Sequence, residues 1–428
     1  MRTRSLRQQL ARVNNATLRG RMAAVVGAVL LSLAAVFFAR IGEVAQHWFL
    51  RLVAAHPAAP ALLTPVMFGL VVYITRRWCP EARGSGIPQV MAAARNPERA
   101  GSSALVSLRT AVMKLAGTIA VLLAGGAAGR EGPTVQISAA IMVAVQRWLR
   151  VPVSAGVIIA GGAAGVAAAF NTPLAGVAFA IEELASAFEQ KVAIFVMAAV
   201  MISGLASLGL SGDYVYFGAM SQALPLRSML LIAPVAGILG GLAGGLFSRC
   251  LIAMSASPRR MVAALRARPL LVAILCGAIV AALGIATDGL SWGTGYDETK
   301  RLLAGEHLPI LFGPSRFFAT LATALSGAPG GIFAPSLSVG AGLGQLISAL
   351  FPGQSAGAIV LLGMIGYFTG VVRAPLTAAI IMMEMTADRT MILPLFATAL
   401  IADWVSALVC RPKLYHALAR QFQQDKVA

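Results

Sequence analysis

The stretch Ala124–Ile137, AGGAAGREGPTVQI, sets one carboxylate, Glu131, between glycines and a proline in a region otherwise apolar enough to lie in a lipid bilayer. An acidic side chain near the bilayer centre costs roughly 2.5–3.5 kcal/mol on insertion scales, so it is kept where it faces a cavity, a partner or a transported ion. The glycines permit a sharp turn and close approach of a ligand, and Pro133 suits a first helical turn, where a missing N–H is not missed. The stretch therefore reads as a loop running into a helix start. Unpaired N–H groups at such a start carry partial positive charge and form a site for an anion. Glu131 stands where that anion would sit. The plainer alternative is that Glu131 only pairs with neighbouring Arg130. Two other stretches have the same grammar of glycines leading into a proline: GSGIPQ at 84–89 and GAPGGIFAP at 327–335.

Membrane helices must position these loops. Of 428 residues, 58% are hydrophobic and 12% charged, and the mean hydropathy is +0.81, which excludes a soluble protein and identifies an all-α polytopic membrane protein. Lys and Arg outnumber Asp and Glu by 34 to 16. These cations fall in short loops between apolar runs, which fits the positive-inside rule and not a nucleic-acid partner. Residues 1–21 hold six arginines and no acid, a cytoplasmic basic segment. Met22–Ala39 is expected to be the first span, too long for a signal-peptide core. Leu62–Thr75, Val192–Gly212, Ser228–Ser248, Pro269–Thr287 and Met391–Ala402, continuing past Asp403, are further spans. The 249–268 loop, with five arginines and no acid, and the basic C-terminal helix at 411–428 are expected in the cytoplasm.

Two regions do not look like straight spans. Val151–Ile181 carries no charge but is interrupted by glycines and Pro173, and Phe317–Val372 is 56 residues without a charge, broken near its start by GAPGGIFAP. Short, tilted, discontinuous helices packed through small residues are expected there. The two halves also match at an offset of about 200 residues, as membrane proteins built from repeats do. Gly126-Ala-Ala-Gly129 falls on Gly327-Ala-Pro-Gly330, and Pro133 on Pro335 with one insertion. TPLAGVAFAIEEL (172–184) falls on APLTAAIIMMEMT (374–386), with Pro173 on Pro375 and Glu182 on Glu384. The reading is two structural repeats, 22–212 and 213–410, with the binding site where GSGIP, GREGP and GGIFAP converge.

GSGIPQ (84–89), AGREGP (128–133), FNTPLAGVAFAIEE (170–183), SGAPGGIFAP (326–335) and KLYHA (413–417), in this order and spacing, resemble the CLC chloride channel and transporter family. The resemblance runs from about residue 22 to 421 and is closest to bacterial proton-coupled chloride transporters without cytoplasmic regulatory domains. It implies a fold of two inverted repeats, a homodimer with one anion pathway per subunit, and a place in the bacterial inner membrane. It further implies a chloride held by Ser85, Tyr415 and the backbone N–H groups of Ile332 and Phe333. Hydroxyls and helix-start amides replace part of an anion's hydration without a full positive charge, so the ion can leave. By the same resemblance Glu131 is the gating glutamate that competes with chloride, and Glu183 the inner glutamate that passes protons from the cytoplasm. Glu182, the other member of the EE pair, would ordinarily lie on a solvated face. Lys114 matches a basic residue often found before GREGP, but the acid that commonly follows GSGIP is replaced by Gln89, with Met91 at the next alternate position. Ser85, Pro133 and Tyr415 depart from the fluoride-exporting branch.

The expected function is therefore chloride/proton exchange gated by Glu131, with a passive chloride channel on the same fold as the alternative. Glu183 separates the two, because channels of the family generally lack an acid there. An enzyme is not expected: there is no HExxH, and His47, His56, His307 and His416 are not placed beside a nucleophile or a metal cluster in the sequence. The four cysteines form no CxxC pair. No metal and no cofactor is expected, only chloride as bound substrate.

Overall fold

The computed structural model describes residues 2–98, 100–184, 190–212, 214–220 and 223–424. Met1, Asp213 and residues 425–428 of the C-terminal segment lie outside the described residues. So do the side chains of residues 2–17, which include four of the six N-terminal arginines. Among the described residues every regular element is helical. Among the described residues six helices are long and apolar enough to cross a membrane: Leu18–Ala55, Ala59–Trp78, Ala193–Leu210, Leu226–Ala256, Pro269–Ala286 and Ile392–Val409. The last of these carries Asp403 inside the apolar run, where it pairs with Arg373 at 3.0 Å.

The first helix differs from the expected Met22–Ala39. It runs without interruption from Arg2 to Ala55. No proline occurs before Pro57, and beyond Ala39 the helix keeps an apolar stripe. Ala45 and Phe49 are buried with Trp292, and the Phe49 and Trp292 rings meet edge-on at 5.1 Å. Polar residues on the other face made this continuation hard to recognise by hydropathy alone.

The uncharged regions form short helices, as expected. Ala155–Phe170 and Pro173–Phe179 occupy the first, and the chain then makes a π-type turn, Ala180–Leu184, which holds both Glu182 and Glu183. Phe333–Ser348 and Ala356–Val372 occupy the second. These two helices pack backbone to backbone, since a Cβ on Gly344 would lie 2.5 Å from the Val360 Cα.

The repeat is visible down to its caps. Leu108–Leu123, Glu131–Trp148, Ala155–Phe170 and Pro173–Phe179 recur as Phe312–Leu325, Phe333–Ser348, Ala356–Val372 and Pro375–Thr386. Ser154 Oγ accepts from Val157 N at 3.4 Å, and its counterpart Ser355 Oγ accepts from Ala358 N at 3.3 Å. Both helices end on a left-handed residue, Asn171 in one and Arg373 in the other. The two proline-led helices then cap each other. Glu384 accepts from Leu174 N at 3.1 Å and Ala175 N at 2.7 Å, while Glu182 accepts from Leu376 N at 3.2 Å and Thr377 N at 2.7 Å. The exchange is the one a local two-fold axis between the helices produces, in keeping with a fold of two inverted repeats. Charged acceptors on helix-start amides are among the stronger protein hydrogen bonds. Glu182 is accordingly not on a solvated face: it is half-buried and bonded to the other repeat.

Candidate functional site

Three helix starts meet at the centre. Gly86, at φ 109°, caps the short helix Ile87–Arg95, which has Pro88 in its first turn. Glu131 opens Glu131–Trp148, with Pro133 in its first turn. Phe333 opens Phe333–Ser348, capped by Ile332. The loops before them are stitched together by backbone bonds. Gly129 and Gly331 exchange N–H···O bonds of 2.8 Å in both directions, and Gly330 N donates to Gly84 O at 3.1 Å. Only glycine fits at 132, because a Cβ there would collide with Ser85 Oγ and sit 2.9 Å from Ser85 O. The loop glycines recognised in the sequence thus let three chain segments approach closely enough to share one space.

Ser85, Ile332, Phe333 and Tyr415 are brought together there. Tyr415 comes from the terminal helix Leu414–Gln424, and its ring centroid is 6.1 Å from that of Phe333. Its hydroxyl lies beside Ser85 and within electrostatic reach of both Glu131 and Glu183. The Ser85 and Tyr415 hydroxyls are both buried, yet neither has a hydrogen-bond partner among the described residues. Leaving a buried polar group unpaired costs about 1–3 kcal/mol. Two such donors facing one helix start form a suitable cradle for a dehydrated anion.

Glu131 is 2% exposed, and its Oε2 accepts from Ala334 N at 3.4 Å, in the first turn of the Phe333–Ser348 helix. The carboxylate therefore occupies an anion position at a helix start. Arg130 is not its hydrogen-bond partner. The guanidinium turns outward to Glu43, at 3.1 Å, and to the Ala39 carbonyl. The simple Arg130–Glu131 ion pair is excluded in this conformation.

Lys114 is wholly buried and solves its missing acid with carbonyls. Nζ donates to Gly84 O at 2.7 Å and Arg83 O at 3.3 Å, gripping the loop that carries Ser85. Gln89 adds its amide to the same loop, donating to Arg83 O at 2.6 Å and Glu81 O at 3.1 Å. The sequence reading missed the counterpart of this device. Gly293-Thr294-Gly295 matches Gly84-Ser85-Gly86, and wholly buried Arg316 donates to the carbonyls of Ser291, Trp292 and Gly293 at 3.0–3.1 Å. The signal was present: Arg316 follows Lys114 at the offset that joins Pro133 to Pro335.

Glu183 lies in the π-type turn, with its side chain fully buried and neither oxygen hydrogen-bonded among the described residues. His416 Nδ1 lies 3.4 Å from its Oε1. The pairing joins residues 233 positions apart, a distance no motif spans. Two cavities flank the site. One, of about 610 Å³, is lined by Ser85, Tyr415, Arg76, Arg83 and Arg266. The other, of about 470 Å³, is lined by Arg130, Glu43, Tyr214, Thr294 and Tyr296.

Comparison with known proteins gives the family. Residues 67–407 match the family described as voltage gated chloride channel. The chain belongs to this family. It is 32% identical to the H(+)/Cl(-) exchange transporter ClcA of Klebsiella pneumoniae over 94% of this chain and 88% of that protein. Among solved structures of the family, a slow cyanobacterial Cl−/H+ antiporter is similar with a TM-score of 0.80 and 26% identity, covering 95% of this chain and 98% of that one. A CLC-type fluoride/proton antiporter shares the fold with a TM-score of 0.78 at 23% identity, covering 92% and 96%.

Proposed function

We propose that the protein exchanges chloride for protons across the bacterial inner membrane. It works as a homodimer in the bilayer, with one anion pathway per subunit. Chloride is held by the Ser85 and Tyr415 hydroxyls and the backbone N–H groups of Ile332 and Phe333, and no cofactor takes part. The observation that carries this reading is the Glu131 carboxylate on the Ala334 amide, near two buried hydroxyls without a hydrogen-bond partner among the described residues. An ionised carboxylate there competes with chloride for the same helix start. Protonation removes the charge that holds it, so the side chain leaves and an anion enters. One side chain thereby links the two fluxes. Glu183, buried in its own turn, supplies protons from the cytoplasmic side. A passive channel needs no such second acid. The Klebsiella relative and the cyanobacterial neighbour, both exchangers by name, support exchange over passive conduction.

The test is purified protein in liposomes, with chloride flux and pH recorded together. A chloride gradient should drive protons uphill. Glu131→Ala should keep chloride flux, lose most of its pH dependence and move no protons. Glu183→Gln should keep chloride flux and stop proton movement. Chloride flux in the wild type without any proton movement would make the protein a channel.

A further inference from the structure

We infer that His416 carries protons between the cytoplasm and Glu183. This rests on the exchanger reading above and adds a residue to its inner proton path. Glu183 has a fully buried side chain, whereas the His416 side chain is 35% exposed, and their nearest atoms, Nδ1 and Oε1, are 3.4 Å apart. Neither side chain hydrogen-bonds to anything else among the described residues at these atoms. A buried acid that must load from water needs an intermediary that touches both, and His416 is placed to do so. Adjacent positions on a helix point about 100° apart, so the terminal helix aims Tyr415 at the anion cradle and His416 at the proton acid. One short helix serves both paths.

The step balances with one proton. The imidazolium releases its Nδ1 proton to Glu183 Oε1, leaving a neutral ring protonated at Nε2 and a neutral carboxylic acid. Rotation of the ring presents the bare nitrogen to cytoplasmic water, which returns the proton. Histidine suits this because it is the side chain whose unperturbed charge changes between about pH 5 and 8. The charged groups acting on Glu183 besides His416 are Lys413, from the terminal helix, and Glu182, from its own turn. The helices Pro173–Phe179 and Ala155–Phe170 beside that turn carry no charge, and Ile87–Arg95 carries only Arg95. Against the terminal helix, Leu226–Ala256 brings Arg227 and Arg249, and Ala356–Val372 brings no charge. Of these groups, His416 is the one whose ring nitrogen stands against a Glu183 oxygen.

The experiment compares wild type, His416→Gln, His416→Ser and Glu183→Gln in liposomes, with pH varied on the Glu183 side alone and halide affinity measured by calorimetry. We expect both His416 variants to bind halide as the wild type does. Their coupled proton turnover should fall several-fold, with a changed dependence on cytoplasmic pH. Imidazole added on that side should restore turnover in His416→Ser. Unchanged turnover and pH profile in a halide-binding variant overturns the relay, and so does a slowed variant that imidazole fails to rescue. Failure of the exchanger reading itself is distinct: Glu183→Gln would then keep moving protons, whatever His416 does.

Discussion

The two repeats have nearly the same backbone and different chemistry. At the first residue of their equivalent helices one has Glu131 and the other Phe333. After the equivalent capping acids Glu182 and Glu384, one has Glu183 and the other buried Met385. In the matching Gly-x-Gly loops, Ser85 Oγ is unpartnered, whereas Thr294 Oγ1 is 3.4 Å from Gln46 Oε1, which also accepts from Thr294 N at 3.3 Å. The first repeat thus supplies the titratable groups and a free hydroxyl. The second supplies backbone amides and apolar walls, and its own loop is closed by a side chain from the first helix. Symmetry builds a scaffold that brings helix starts together, and asymmetric side chains on it make one central site instead of two.

Removing the buried cations tests whether the scaffold halves are equivalent. Arg316→Met should orphan three carbonyls and destabilise the protein by about 3 kcal/mol or more, read as a large loss of thermal stability in detergent. Lys114→Met takes one donor from each of two carbonyls that keep another, Gly84 O from Gly330 N and Arg83 O from Gln89, so its stability loss should be smaller. It should also weaken halide binding, because Gly84 adjoins Ser85. Equal halide affinity in Lys114→Met and wild type would break the link between that cation and the anion loop.

Next in size is the contrast between the two loops. Ser85→Ala and Tyr415→Phe should each weaken halide binding by about 1.5–3 kcal/mol, the worth of a hydrogen bond to a charged group. Thr294→Val should leave halide affinity unchanged in calorimetry. A comparable loss in Thr294→Val would mean that the second loop also contacts the anion.

The capping acids should behave alike, in keeping with their symmetry. Glu182→Gln and Glu384→Gln each retain one acceptor oxygen and lose the charge, so each should cost about 1 kcal/mol in unfolding measurements. Proton coupling should survive both. Loss of coupling in Glu182→Gln alone would assign it part of the proton path and sharpen the asymmetry. Smallest should be Glu43→Gln. Its carboxylate is 61% exposed beside Arg130, and solvent-exposed pairs contribute about 0–1 kcal/mol. Arg130 retains the Ala39 carbonyl, so a marked change in chloride flux would show that the outer pair does more than anchor Arg130.

Much of this was decided by the sequence. A long apolar run without charge satisfies its own backbone in lipid as a helix, and glycine or proline at fixed places within such runs dictates where those helices start and stop. GSGIP, GREGP and GGIFAP were therefore legible as helix starts, and the offset matches as a repeat. Tertiary structure alone decided which groups pair across those starts. That Arg130 turns to Glu43, that Glu182 caps the other repeat and that His416 stands beside Glu183 depend on contacts between residues tens to hundreds of positions apart. Periodicity reports which face of a helix is apolar; it does not report which distant helix covers that face. The unpartnered Ser85 and Tyr415 hydroxyls belong to the same class, since a hydroxyl's freedom is a property of everything packed around it.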